Sequence, residues 1–268
     1  MQNYICKTCG TQFAASEAPP AHCPICEDER QYIGWNGQAW TTMEALGQDH
    51  HNIFKSLEDN LTGIGTHPGF AIGQRALLVQ TPEGNVLWDC ISLVDQATIA
   101  LVQSLGGISA IAISHPHFYT SMVEWSHIFE APIYLHSTDK QWVQRPDPAI
   151  QFWEGQTKEL AKGLTLIRCG GHFAGSTVLH WSQGMNGKGV LLSGDTLQVV
   201  SDRRYVSFMY SYPNLIPLPA QTIRQISAAV EPYAFERVYG GWWDRNVYED
   251  AKNAVARSAD RYLDALGG

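Results

Sequence analysis

An apolar, β-branched run that ends abruptly at two histidines, in the segment 111–120, constrains the fold more than any other feature of the chain. The run predicts a buried strand, and Pro116 stiffens the loop that follows by fixing its own φ. In an extended backbone, residues i and i+2 point to the same side, so we expect His115 and His117 to reach one point. Neutral imidazole is the commonest metal ligand, although two ordinary loop histidines would give the same pattern.

Two later strands end in the same way. The predicted strand 164–169 leads through two glycines to His172, and the predicted strand 189–193 leads to Asp195. Three predicted strands in this chain therefore lead directly into a potential metal ligand, and we call each such place a strand-to-ligand junction. Three of these junctions in one chain would rarely arise by chance. Three imidazoles and one carboxylate suit zinc or iron, so the pattern predicts a metal site at the ends of these strands.

The N-terminal segment carries two Cys-x-x-Cys pairs separated by thirteen residues. Two such pairs supply four thiolates to a tetrahedral ion, and a segment of this length needs the metal in order to fold. Residues 1–36 resemble a zinc ribbon of the rubredoxin type, and we expect zinc, although ligation by four cysteines also suits iron. Two disulfides or free thiols are the alternative. The four predicted ligands are Cys6, Cys9, Cys23 and Cys26.

The composition narrows the class of protein. Hydrophobic residues make up 44% of the 268 residues and charged residues 16%, which is typical of a globular chain. The net charge is −8 and no basic stripe is evident, so we expect no nucleic-acid partner. No apolar run reaches the ~18 residues of a membrane span, and the start does not read as a signal peptide. Paired cysteines used for metal favour a reducing compartment, so we expect a soluble, cytoplasmic protein.

The remaining pattern predicts strands that alternate with helices, which indicates a layered α/β domain over residues 37–268. Residues 37–72 are predicted to be a linking segment with helical turns at 42–47 and 52–57. Residues 138–160 are predicted to be irregular. Further predicted strands lie at 75–80, 85–90, 132–136, 178–181 and 236–239, and predicted helices lie at 93–105, 119–129, 218–230 and 246–265.

From about Arg75 to the end, the chain resembles the metallo-β-lactamase fold superfamily. The histidine pair at 115 and 117 matches the start of its His-x-His-x-Asp-His motif, and Gly171-His172 and Gly194-Asp195 match its later ligand loops. The resemblance implies a four-layer αββα sandwich with the metal at one sheet edge.

The chain departs from this pattern at the second metal site. Tyr119 and Thr120 stand where the family has an aspartate and a histidine, and Trp242 follows the strand after which the family usually supplies its last histidine. The resemblance therefore implies a single metal. His115, His117 and His172 would hold it, with Asp195 as the fourth ligand or an outer partner.

The resemblance implies a metal-dependent hydrolase that uses zinc-bound water as the nucleophile on a small-molecule substrate. Asp195 would accept a proton if it does not bind the metal tightly, and Tyr119 would donate one, unless Tyr119 only fills the second metal position. Arg203 is a candidate for binding an anionic group of the substrate, and the alternative is that it forms an ion pair on the surface. Trp242 is a candidate for the wall of an apolar pocket, and the alternative is that it is a core residue.

Two other functions remain open. His115, His172 and Asp195 match the iron ligands of the persulfide dioxygenase branch, so a mononuclear non-haem iron oxidoreductase is an alternative, with iron possible in either metal site. A catalytically degenerate metal-binding protein is another. In each case the ribbon could dock another protein or form a homodimer.

Overall fold

The computed structural model describes residues 1–267, and their backbone contacts divide them into two units. The first unit comprises Met1–Leu135 and Lys140–Phe152. The second comprises His136–Asp139 and the chain from Trp153 onward. Among the described residues, no helix combines the length and apolarity that a membrane crossing needs.

The N-terminal part of the first unit is built on very short elements. Strand β1 (Ile5–Cys6) pairs with β2 (Trp40–Thr41), and the one-turn helix α1 (Pro24–Glu27) carries Cys26. The strand β2 lies beyond residue 36, the predicted end of the ribbon. Since four of the six buried residues in its apolar cluster are cysteines, this segment has little apolar core of its own.

A seven-stranded sheet forms the body of the first unit, in the order β3-β4-β5-β6-β7-β8-β9. Neighbouring strands from β3 to β6 are antiparallel, whereas β6, β7 and β8 run parallel. Its elements in chain order are α2 (Met43–Asp49), β3 (His51–Glu58), β4 (Leu61–His67), β5 (Arg75–Val79), β6 (Val86–Trp88), α3 (Gln96–Ser104), β7 (Ala110–Ala112), α4 (Met122–Phe129), β8 (Ile133–His136) and β9 (Ile150–Trp153).

A six-stranded sheet forms the second unit, in the order β10-β11-β12-β13-β18-β19. Only the β13–β18 pair is parallel, and the apolar faces of α6 and α7 pack in the same core as β11, β12 and β18. Its elements in chain order are β10 (Thr157–Ala161), β11 (Leu164–Arg168), β12 (Thr177–Trp181), α5 (Gly184–Gly187), β13 (Val190–Gly194), β14 (Gln198–Val199), β15 (Val206–Ser207), β16 (Met209–Ser211), β17 (Ile216–Pro217), α6 (Ala220–Val230), β18 (Arg237–Gly240), β19 (Asn246–Val247) and α7 (Ala251–Ala265).

Several predictions of secondary structure were wrong, and each error lies in a segment where pairing with a neighbouring strand overrides the local sequence pattern. The predicted helical turn at 52–57 is part of β3, because β4 pairs with it along its whole length. The predicted irregular segment 138–160 contains β9 and all but the last residue of β10. Helix α7 begins at Ala251, not 246, because Asn246 and Val247 pair with β18. The predicted hairpin β5–β6 and the helices near 42, 93, 119 and 218 are confirmed, with shifted ends.

Candidate metal centres

The loop after β7 holds the first two histidines. His115 is extended (φ −171°), and Pro116–Phe118 forms a 3₁₀ turn. The prediction that an extended i, i+2 pair brings the rings together was therefore wrong in its geometry. The turn still brings the rings of His115 and His117 to a centroid distance of 5.1 Å, and both side chains are buried.

Outer hydrogen bonds orient the first of these rings. The Ser114 hydroxyl lies 2.9 Å from His115 Nδ1, so Nε2 is the ring nitrogen that can coordinate a metal. The Ser114 N–H donates to the Asp89 carboxylate at 2.8 Å, which ties the loop to the end of β6. Burial raises the pKa of Asp89 to about 7, although this hydrogen bond opposes the shift.

His172 and Asp195 form the other half of the predicted set. The two preceding glycines adopt φ +70° and +86°, and His172 Nδ1–H donates to the Tyr210 carbonyl at 2.8 Å and, more weakly, to that of Met209 at 3.3 Å. This fixes Nε2 as the coordinating nitrogen, and it lies 3.7 Å from Asp195 Oδ2. Both residues are almost fully buried.

The sequence analysis missed the partners of His172. Tyr210 orients it through a backbone carbonyl, which leaves no side-chain signal. The ring of Tyr212 lies 5.8 Å from that of His172, and its hydroxyl donates to the Ser207 carbonyl at 2.9 Å. Burial and the nearby charge of Asp195 raise the pKa of Tyr212, which keeps its phenol protonated.

The predicted ligands lie together. The potential ligand atoms of His115, His117, His172 and Asp195 lie within 4.8 Å of one another, and all four residues are buried. Three imidazoles with one carboxylate are a donor set that zinc and iron both accept. The arrangement therefore fits a metal ion, as the spacing of the motifs predicts.

The four N-terminal cysteines form a second cluster, in which the sulfur atoms also lie within 4.8 Å of one another. Their sulfur atoms pair at 3.6 Å (Cys6 with Cys26) and 3.7 Å (Cys9 with Cys23), well beyond the ~2.05 Å of a disulfide. Thiol hydrogen bonds from its neighbours lower the pKa of Cys6, whereas burial raises that of Cys9. Four buried, reduced sulfurs fit a tetrahedral metal site and exclude the disulfide alternative.

The other predicted site residues have the following surroundings. Tyr119 is buried and lines a small cavity together with Thr11 of the ribbon. Arg203 donates to the Val200 carbonyl. Trp242 is half-buried in the turn between β18 and β19.

Solved metallo-β-lactamases have the same fold. DIM-1 superposes with a TM-score of 0.60 and 15% sequence identity, over 80% of this chain and 98% of that one. SMB-1, solved with mercaptoacetic acid, superposes with a TM-score of 0.54 and 16% sequence identity, over 81% of this chain and 95% of SMB-1. A metallo-β-lactamase of Cronobacter sakazakii superposes with a TM-score of 0.51 and 16% sequence identity, over 80% of this chain and 92% of that one. The predicted fold class is confirmed: this is an α/β protein of the metallo-β-lactamase fold with an N-terminal four-cysteine cluster.

Sequence comparison defines the family more narrowly. The uncharacterized protein YmaE of Bacillus subtilis (strain 168) is 53% identical over 268 residues, which covers 99% of this chain and 97% of YmaE. The chain belongs to the same protein family as YmaE. No model in a scan of known protein families matches it.

Proposed function

We propose that this protein is a metal-dependent hydrolase with a single metal in the His115–His117–His172–Asp195 site. The observation that carries the proposal is the close clustering of these four buried ligand residues. The residues at the two second-site positions of the resemblance, Tyr119 and Thr120, support a single metal, because a phenol and a hydroxyl are not usual zinc ligands.

A bound zinc ion would lower the pKa of its bound water and, as a Lewis acid, would polarise a carbonyl or phosphoryl oxygen. The protein supplies orientation and proton transfer. The Tyr210 carbonyl holds His172 in the tautomer that presents Nε2, and the Ser114 hydroxyl is hydrogen-bonded to Nδ1 of His115, which leaves Nε2 of that ring for the metal. Asp195 Oδ2 lies 3.7 Å from His172 Nε2, which places the carboxylate to be the fourth ligand or an outer partner of the metal, and it accepts the proton if the metal does not hold it tightly. We further predict that Arg203 and Trp242 contact the substrate. Docking of another protein or dimerisation through the ribbon also stays a prediction.

A panel of chromogenic substrates tests the activity. We expect zinc-reconstituted protein to hydrolyse at least one class among thioesters, lactones, β-lactams and phosphodiesters. The variant His115→Ala, purified in parallel, should be inactive and so control for contaminating hydrolases. Protein with a fully loaded His site and no turnover across the panel would contradict the proposal. Iron in place of zinc in the protein as isolated would instead favour the oxidoreductase alternative.

The variant Tyr119→Phe tests the proton-donor role. If the phenol protonates the leaving group, we expect kcat to fall by roughly 10²-fold or more with little change in KM. The alkaline limb of the pH–rate profile should also change. The control is Tyr233→Phe, at a half-buried tyrosine that packs against His180. Unchanged turnover in Tyr119→Phe would mean that the ring only fills space.

A further inference from the structure

The first cysteine pair of the ribbon lies on a short turn, residues 6–12, which we call the knuckle. Hydrogen bonds from Gly10 N–H to the Cys6 carbonyl (2.8 Å) and from Cys6 N–H to the Thr11 carbonyl (2.9 Å) close this turn. Two of the four thiols, Cys6 and Cys9, belong to it. Because a ribbon of this size folds on its metal, the shape of the knuckle depends on the ion that the thiolates bind.

The knuckle is hydrogen-bonded directly to the loop that carries the site histidines. The Gln12 N–H donates to the Thr120 carbonyl at 2.9 Å, and Thr120 is only three residues after His117. Thr120 adopts φ +38°, a backbone conformation that L-residues rarely take and that persists only where the surroundings hold it. The knuckle supplies one of those restraints.

A second contact joins the knuckle to the same loop through Ser92. The Ser92 hydroxyl donates to the Gly10 carbonyl at 2.9 Å. Gly10 has φ +81°, and a Cβ there would lie 2.5 Å from Ser92 Oγ and 3.1 Å from the Ala71 Cβ. The Ser121 hydroxyl in turn donates to the Ser92 carbonyl at 2.7 Å. Ser92 therefore connects the knuckle to the residue that follows Thr120, and the packing around Gly10 is tight.

A charged cluster makes the third contact. Arg145 pairs with Glu124 of α4 at 2.6 Å, and it also donates to the side-chain oxygen of Gln12. The Gln12 amide nitrogen donates to Glu124 at 3.2 Å. The three side chains connect the ribbon to the first turn of the helix that begins directly after the histidine loop.

The histidine loop, residues 115–121, is a series of tight turns closed by backbone hydrogen bonds. Phe118 N–H donates to the His115 carbonyl at 3.1 Å, and Met122 N–H donates to the Tyr119 carbonyl at 3.0 Å. A third bond, from Tyr119 N–H to the Pro116 carbonyl at 3.2 Å, links these two turns, so His115 is joined to α4 through successive turns that include Thr120. We therefore expect a displacement of Thr120 to move His117.

We propose that the four-cysteine ribbon positions the His115–His117 loop, so that metal binding at the ribbon raises the metal affinity of the His site. Such coupling is reciprocal and is typically worth 5- to 150-fold in affinity. The inference rests on the metal centre of the proposed function, but it does not require hydrolysis.

The variant Gly10→Ala tests the coupling, with Gly37→Ala as its matched control. Both glycines lie in the N-terminal segment at φ near +80°, but a Cβ at Gly37 would meet nothing within 4 Å. The probe is Co²⁺, because thiolate-to-cobalt charge transfer reports the four-cysteine site, and the visible d–d absorption that remains after subtraction of the spectrum of a His172→Ala protein reports the His site. We expect Gly10→Ala to weaken Co²⁺ binding at the His site about tenfold while the charge-transfer band stays, and Gly37→Ala to match wild type.

The variant Ser92→Ala is the second measurement, should Gly10→Ala fail to fold. It removes only the hydroxyl that holds Gly10, and we expect a smaller loss of His-site affinity, about threefold. His-site affinity within experimental error of wild type in both variants, or in Ser92→Ala if only that one folds, would overturn the coupling. A wild-type protein that binds Co²⁺ only at the ribbon would instead overturn the metal centre of the proposed function.

Discussion

The variant His172→Ala should lose the metal of the His site and keep that of the ribbon. Wild-type protein should contain two metals per chain, and the variant one. The imidazole is held by the Tyr210 carbonyl so that Nε2 is the nitrogen that binds the ion, and the variant has no donor atom at this position. Loss of an outer hydrogen-bond partner alone typically costs 10- to 100-fold in metal affinity, so loss of the ligand should cost more than ~100-fold.

The matched control is His180→Ala. His180 is also buried, but its Nε2 donates to the Ala234 carbonyl at 2.8 Å, so it is not arranged to bind a metal. Burial lowers its pKa, which keeps the ring neutral as in a ligand histidine. Metal content by mass spectrometry, with affinity from competition against a chelator, measures the difference. Two tightly bound metals in His172→Ala would refute the assignment of this ligand.

The second large effect should follow from Cys23→Ser. This variant leaves three thiolates in the ribbon, and its metal should be lost during dialysis against a mild chelator. Structural zinc in small Cys-rich folds contributes about 10–16 kcal/mol of apparent binding free energy at pH 7. Because so little apolar surface is buried there, we expect residues 1–41 to become sensitive to protease while the rest of the chain stays protected.

The control for this variant is Cys169→Ser. Cys169 is buried in the apolar core of the second unit, and burial raises its pKa to about 12, so its thiol stays protonated at neutral pH. It donates weakly to the Ile167 carbonyl and lies outside both ligand clusters of the described residues. The variant should retain both metals. A protease-resistant, metal-loaded ribbon in Cys23→Ser would show that the four-cysteine assignment is wrong.

The sequence predicted the ligand sets better than the local structure around them. The two Cys-x-x-Cys pairs and the three strand-to-ligand junctions are patterns of residue type and spacing, and both predicted clusters are present. The extended geometry expected for His115 and His117 was wrong, since Pro116 begins a 3₁₀ turn instead. A proline predicts its own φ but not the hydrogen bonds that its neighbours form.

Elements with a weak pattern of their own could not be predicted. The strand β4 contains Gly63 and Gly65, which disfavour a strand by themselves, and its pairing with β3 and β5 overrides this preference. The short strand β16 supplies the carbonyls that orient His172, although its sequence carries no sign of that role. Backbone partners from distant segments have no residue-type signal, so sequence reasoning does not find them.

The sequence by itself determined which atoms can bind metal, because thiolates, imidazoles and a carboxylate are properties of residue type. It also determined the order of most strands and helices, because apolar periodicity follows from burial. The tertiary structure decided the tautomer of His172, the contact of Gly10 with Ser92, and the hydrogen bond from Gln12 to Thr120. These features depend on segments far apart in the chain, whose meeting is set by packing rather than by local preference.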